Sequence, residues 1–167
     1  HIRSRKAQKI YKAIGGKSPI LFETEKQAKA LEQLLSSDME AKIFIAMRYW
    51  KPFAEDTFRE VVDFKPDQVV LLPLYPQYSI VTSGSSLEEW QEICNRSGHS
   101  GYLGRAIKSF PEDPGFVSAY AALALPHLEK ARERGRFQVL FSAHGLPEKV
   151  IKAGDVYQQQ CERTAQA

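Results

Sequence analysis

Three short apolar runs, Ile43-Phe44-Ile45-Ala46-Met47, Val69-Val70-Leu71-Leu72 and Phe137 to Phe141, are separated by segments long enough to wind into helices. That alternation constrains the fold more than any other feature of the chain. A run that is apolar at every position reads as a strand covered on both faces, the situation in a parallel sheet. Parallel neighbours need a crossover of about a dozen residues, usually a helix. The expected fold class is therefore α/β, a three-layer αβα arrangement around a doubly wound, mostly parallel sheet.

The segments between the runs carry helix punctuation. Ile2 to Ile14 reads as a basic amphipathic helix stopped by Gly15-Gly16, and Ser18-Pro19 opens a second with Ala28, Leu31, Leu34 and Leu35 on one face. Pro52 opens another, with Ala54, Phe58, Val61 and Val62 inward, and Lys65-Pro66 ends it. Ser85…Glu88 and Ser86…Glu89 both fit a capping box ahead of Leu87, Trp90 and Cys94. Tyr102 to Ile107 is a weaker strand. Asp113-Pro114 caps a longer helix that Pro126 is expected to kink, and Asp155 can cap a terminal one.

Composition removes several function classes. The 167 residues carry 23 Lys+Arg against 20 Asp+Glu, a net +3. That is about one domain's length on the usual ~100–200 residues each, and too little one-sided charge for a nucleic-acid surface. No apolar stretch approaches the ~20 residues of a membrane span. Cys94 and Cys161 lie far apart and make neither a metal spacing nor a redox pair. A reducing compartment is the natural reading, with a single disulfide left open. Gly16-Lys17-Ser18 is not a phosphate loop, because that motif requires Gly where Tyr11 stands and a strand before it. The chain opens on His1 rather than Met and closes inside an expected helix, so a piece of a longer protein is expected.

In sheets of this class ligands bind beyond the carboxyl ends of the strands. That directs attention to Arg48 to Lys51, Leu74 to Ser86, Phe110 to Asp113 and Ser142 to Pro147. His144 is the sharpest residue, since an imidazole in a turn after an apolar strand can act as general base or metal ligand near neutral pH. A histidine satisfied by a backbone carbonyl is about as good an account. Tyr75 to Ser86 offers hydroxyls and free N–H groups at a helix start, suited to an anion, and tyrosines suited to a flat ligand. A capped helix after packed tyrosines explains the same residues. Arg48-Tyr49-Trp50 places a cation beside two rings, either facing a cleft or stacked structurally. His99 and His127 read as surface residues.

Taken together, four motifs in order resemble the ferrochelatase family, which inserts ferrous iron into a porphyrin. They are Ile14-Gly15-Gly16-Lys17-Ser18-Pro19-Ile20, Met47-Arg48-Tyr49, Leu72 to Ser86, and Phe141-Ser142-Ala143-His144-Gly145-Leu146-Pro147. The resemblance implies two similar α/β lobes with the active site between them, of which this chain is the first. Residues 1–154 then form that lobe without its opening strand, and 155–167 begin the helix leading to the second lobe. His144 falls on the family's active-site histidine, a metal ligand or acceptor of pyrrole protons. Arg3, Tyr11 and Ser18 fall on positions that contact the porphyrin, and Arg48 and Tyr75 on residues lining the cleft. The acidic partner across the pocket belongs to the second lobe.

The resemblance further implies Fe²⁺ and porphyrin as substrates, no required cofactor, no nucleic-acid partner, and a cytoplasmic location with peripheral membrane association left open. Some relatives place an iron–sulfur ligand Cys directly after the Tyr-Ser pair; Ile80 stands there, so no cluster ligand is expected at that site. Phe110-Pro111 and Asp113 replace the Trp-Pro and His of other relatives, so no metal-entry role is carried to them. A sister chelatase for another metal or porphyrin, a non-catalytic tetrapyrrole-binding lobe and a solute-binding domain remain alternatives.

Overall fold

The computed structural model describes residues 11–13 and 15–167. The expected helix over residues 2–14 and the candidate contact Arg3 therefore lie largely outside the described residues, although 11–13 are helical. The chain divides into two compact units, one ending at Lys65 and one beginning at Pro66.

The first unit is built on α1 (Ile20–Leu35) and α2 (Ala54–Phe64). Pro19 precedes α1 with helical dihedrals, and Ser18 Oγ accepts the Ile20 N–H at 3.3 Å. Lys65 closes α2 in a left-handed conformation, φ 54°, and its N–H donates to the Val61 and Val62 carbonyls. Pro66 then prevents further helix. The buried face of α2 carries Ala54, Thr57, Phe58 and Val61, four positions spaced for one helical stripe. Residues 43–47 run alongside: Thr57 Oγ1 donates to the Ile45 carbonyl at 2.7 Å, and Phe44 meets Phe64 edge-on at 5.7 Å. The strand expected there does not form a ladder; Met47 makes an isolated parallel bridge to Phe53. The Lys51–Pro52 peptide is cis.

The second unit holds a two-stranded parallel sheet, β1 (Val70–Leu71) with β2 (Arg105–Ala106). Between them come a π-helical turn (Ile80–Gly84), α3 (Ser85–Arg96) and a 3₁₀ turn (Ser100–Leu103). This is the right-sized crossover for a parallel pair. Its core is α3, with Trp90, Ile93 and Cys94 buried and the Trp90 Nε1–H donating to the Tyr102 carbonyl at 2.9 Å. Gly104 lets the chain enter β2 at φ 71°, where a Cβ would stand 2.8 Å from the Val69 carbonyl oxygen. No side-chain bond is made at the cap position of α3. Gly84 occupies the cap position with helical dihedrals, because the π turn runs straight into α3 and leaves Ser85 and Ser86 inside the helix.

After β2, α4 (Pro114–Glu133) starts as anticipated, Asp113 accepting the Phe116 N–H at 2.9 Å. Pro126 sits within it and the helix continues to Glu133. The expected inward face of α4 is not buried in any residue. The expected strand at 137–141 does not form, no regular secondary structure being assigned to those residues, with Leu140 87% and Phe141 73% exposed. An apolar run becomes a strand only when a neighbour supplies the other half of its ladder. Two short helices finish the chain, α5 (Glu148–Lys152) and α6 (Tyr157–Gln166). The structure is thus mixed helix and strand with a small parallel sheet, in keeping with the α/β class.

Candidate functional site

In the first unit, Tyr11 and Ser18 lie on one open concavity of about 440 Å³, together with Lys12, Gly16, Lys17 and Trp50. Two ammonium groups, a hydroxyl and a phenol on one rim make a surface suited to a carboxylate, beside the indole of an exposed Trp50. The turn is set locally: Gly15 and Gly16 take φ 97° and 85°, and the Gly16 N–H donates to the Tyr11 carbonyl at 2.7 Å. Arg48 is half-buried with its guanidinium 5.0 Å above the Tyr49 ring, so the cation stacks on Tyr49.

In the second unit, Tyr75 is half-exposed in the loop that follows β1. Residues 77–80 of that loop are clasped by α6. Gln160 Oε1 accepts the Tyr78 N–H at 2.7 Å, Gln77 Nε2 donates to Thr164 Oγ1 at 2.9 Å, and Thr164 Oγ1 donates to the Pro111 carbonyl at 2.7 Å. Asp155, 4% exposed, anchors the clasp. Its Oδ2 accepts from Ser79 Oγ at 2.8 Å and the Ile80 N–H at 2.7 Å, and its Oδ1 accepts the Tyr157 N–H at 2.9 Å. Two of these donors are backbone N–H groups, which a buried loop must satisfy.

His144 is exposed and follows the apolar run 137–141. Its backbone N–H donates to the Tyr157 hydroxyl at 3.2 Å. The Tyr157 hydroxyl is held above its ordinary pKa, first by burial and then by a hydrogen bond with Cys161, against which the His144 N–H works. Burial likewise pushes the Cys94 thiol up, because α3 gives its thiolate no water. Both cysteines are free thiols. Among the described residues no group of three or more His, Cys, Asp or Glu could hold a metal ion.

Of the sequence-derived site residues, Tyr11 and Ser18 are brought onto one surface, with Arg48 elsewhere in the same unit, while Tyr75 and His144 belong to the second unit. Sequence reading missed Asp155 and Tyr157 as parts of the site and treated Asp155 as a helix cap alone. It does bond the first N–H of α6, but its other oxygen reaches back 75 residues, which local sequence does not signal.

The decisive comparison is with family models: the ferrochelatase model matches residues 1–167, the full chain. The chain belongs to the ferrochelatase family. It is 51% identical over 168 residues to a ferrochelatase of Caulobacter vibrioides (strain NA1000 / CB15N), covering 99% of this chain and 47% of that protein. A Phenylobacterium zucineum ferrochelatase is 48% identical over 99% of the chain and 48% of its own length. One from Pelagibacter ubique is 44% identical over 97% of the chain and 47% of its own length. The chain spans about half the length of the curated ferrochelatases it matches. No helix among the described residues is long and apolar enough to cross a membrane.

Proposed function

We propose that this chain is the first-lobe part of a ferrochelatase that inserts Fe²⁺ into protoporphyrin IX in haem synthesis, with His144 at the metal-transfer site. The observation that carries the reading is the family match along all 167 residues, with the Phe141-to-Pro147 motif intact around His144. In this reading residues 1–154 belong to the first of two doubly wound αβα lobes, and 155–167 lead toward the second.

Metal insertion releases two pyrrole protons as Fe²⁺ takes their place on the ring nitrogens. A neutral imidazole accepts such a proton or offers a borderline nitrogen ligand to Fe²⁺. The macrocycle must also be bent so that its nitrogens point at the metal, and that strain is drawn from contacts remote from the reacting atoms. Arg3, Tyr11 and Ser18 are proposed as such contacts, and the ammonium groups of Lys12 and Lys17 beside the latter two favour a propionate. Arg48 and Tyr75 are proposed to line the cleft.

Iron enters as substrate, and no resident cofactor is proposed; with Ile80 after Ser79 that position supplies no cluster thiolate. The proposed location is cytoplasmic, with peripheral association at the inner membrane left open. The test is iron insertion by the full-length protein with His144→Ala. Turnover is expected to fall at least a hundredfold while porphyrin binding persists. Unimpaired turnover with binding intact would remove His144 from the chemistry.

A further inference from the structure

The residues Tyr157, Gln160, Cys161 and Thr164 follow one face of α6, at i, i+3, i+4 and i+7. Along that face the helix makes three separate attachments to the loop carrying Tyr75. Thr164 holds Gln77, Gln160 holds Tyr78, and Asp155, immediately before α6, holds Ser79 and Ile80. The fourth attachment points elsewhere. The Tyr157 hydroxyl reaches the backbone N–H of His144, thirteen positions earlier. Among the described residues this is the hydrogen bond that ties residues 137–146 to another element. One helix face thus grips both the loop after β1 and the histidine turn.

We infer that Tyr157, seated by the buried Asp155 carboxylate, is a positioning residue for His144: its hydroxyl accepts the His144 N–H and sets where the turn presents the imidazole relative to the Tyr75–Ile80 loop. The seat is stiff because Asp155 is buried and both of its oxygens are engaged, one by the Tyr157 N–H itself. Neighbouring groups that orient a metal-site histidine commonly change activity by about 10–100-fold when removed. A backbone anchor works the same way at one remove, since a small displacement of the turn displaces the ring.

This inference rests on the proposed role of His144, and a double-mutant cycle in the full-length protein separates the two. Ferrous iron and protoporphyrin IX are the substrates, with kcat, KM for porphyrin and porphyrin Kd measured for Tyr157→Phe, His144→Ala and the pair. Tyr157→Phe is expected to lower kcat about tenfold, leaving KM and Kd within about twofold because the porphyrin contacts are untouched. Against a His144→Ala background the second change is expected to cost nothing further, as the hydroxyl acts only through the ring that is gone.

Wild-type kcat in Tyr157→Phe, with His144→Ala inactive, overturns the positioning role and leaves the function standing. A further tenfold loss in the double variant also overturns it, by showing that Tyr157 acts independently. Wild-type turnover in His144→Ala overturns the function and this inference together. Should Tyr157→Phe fail to fold by far-UV circular dichroism, Tyr157→Met, which also removes the hydroxyl and keeps a long apolar side chain, is carried through the same cycle and must show the same loss and non-additivity.

Discussion

Replacing Asp155 by Asn exchanges one carboxylate oxygen for an NH₂ group and tests whether the clasp depends on charge. The carboxylate accepts three hydrogen bonds, two on Oδ2 and one on Oδ1. An amide has one acceptor oxygen, so whichever way it is turned its NH₂ must face donors. With the amide oxygen toward Ser79 and Ile80, the NH₂ meets the Tyr157 N–H and that bond is lost. A buried donor left unsatisfied costs about 1–3 kcal/mol, and each bond that stops being charge-assisted loses about 1 kcal/mol. The opposite orientation leaves the Ile80 N–H unsatisfied instead, while the Ser79 hydroxyl can rotate to accept from the NH₂. The sum is a loss of about 3–5 kcal/mol in unfolding free energy. Urea unfolding of the full-length protein, followed by far-UV circular dichroism, measures it. A loss below about 1 kcal/mol would mean that the loop at 79–80 and the start of α6 are satisfied by other partners, and the account of Asp155 as anchor would be wrong.

Other changes probe the remaining parts of the fold. Gly104→Ala is expected to cost about 1–3 kcal/mol from the left-handed backbone alone, and more because its Cβ would press on the Val69 carbonyl oxygen; stability like wild type would contradict the described entry into β2. Thr57→Val removes the hydroxyl bonded to the Ile45 carbonyl and should cost about 1 kcal/mol, read by the same urea titration. A disulfide-exchange thiol reagent at pH 8 is expected to modify the half-exposed Cys161 and leave the fully buried Cys94 until denaturant is added. The raised Cys94 pKa also contributes stability below the unfolded thiol's pKa that is lost as pH rises beyond it, so alkaline unfolding should flatten in Cys94→Ala. Equal labelling of both thiols in the folded protein would refute its burial.

What the chain reveals about itself depends on how local each signal is. Lys65-Pro66 and Asp113-Pro114 mark helix limits because cap and proline act within one turn, and both fall where expected. The four motifs point to the right family because they are specific strings in a specific order. Ser85 and Ser86 mislead because the π turn begins five residues earlier and removes the need for a side-chain cap. Phe137 to Phe141 is apolar enough for a strand, yet pairing is a property of two segments and composition describes one. Asp155 was legible as a polar residue before a helix; that its second oxygen serves residues 79 and 80 is a matter of tertiary geometry.

The π turn at Ile80–Gly84 is in effect a phase shifter. Its Gly84 N–H reaches the Ser79 carbonyl at 3.0 Å, one residue farther than an α-helical bond would. Each residue added to or taken from a helix turns everything beyond it by about 100°. Trp90, Ile93 and Cys94 face inward in the same chain direction that leaves Ser79 facing Asp155, and the extra residue is what lets both orientations coexist. Shortening residues 80–84 by one would relax the turn into ordinary helix and force a choice between them. Length is therefore constrained in this short stretch independently of side-chain identity, and the segment should tolerate substitution far better than insertion or deletion.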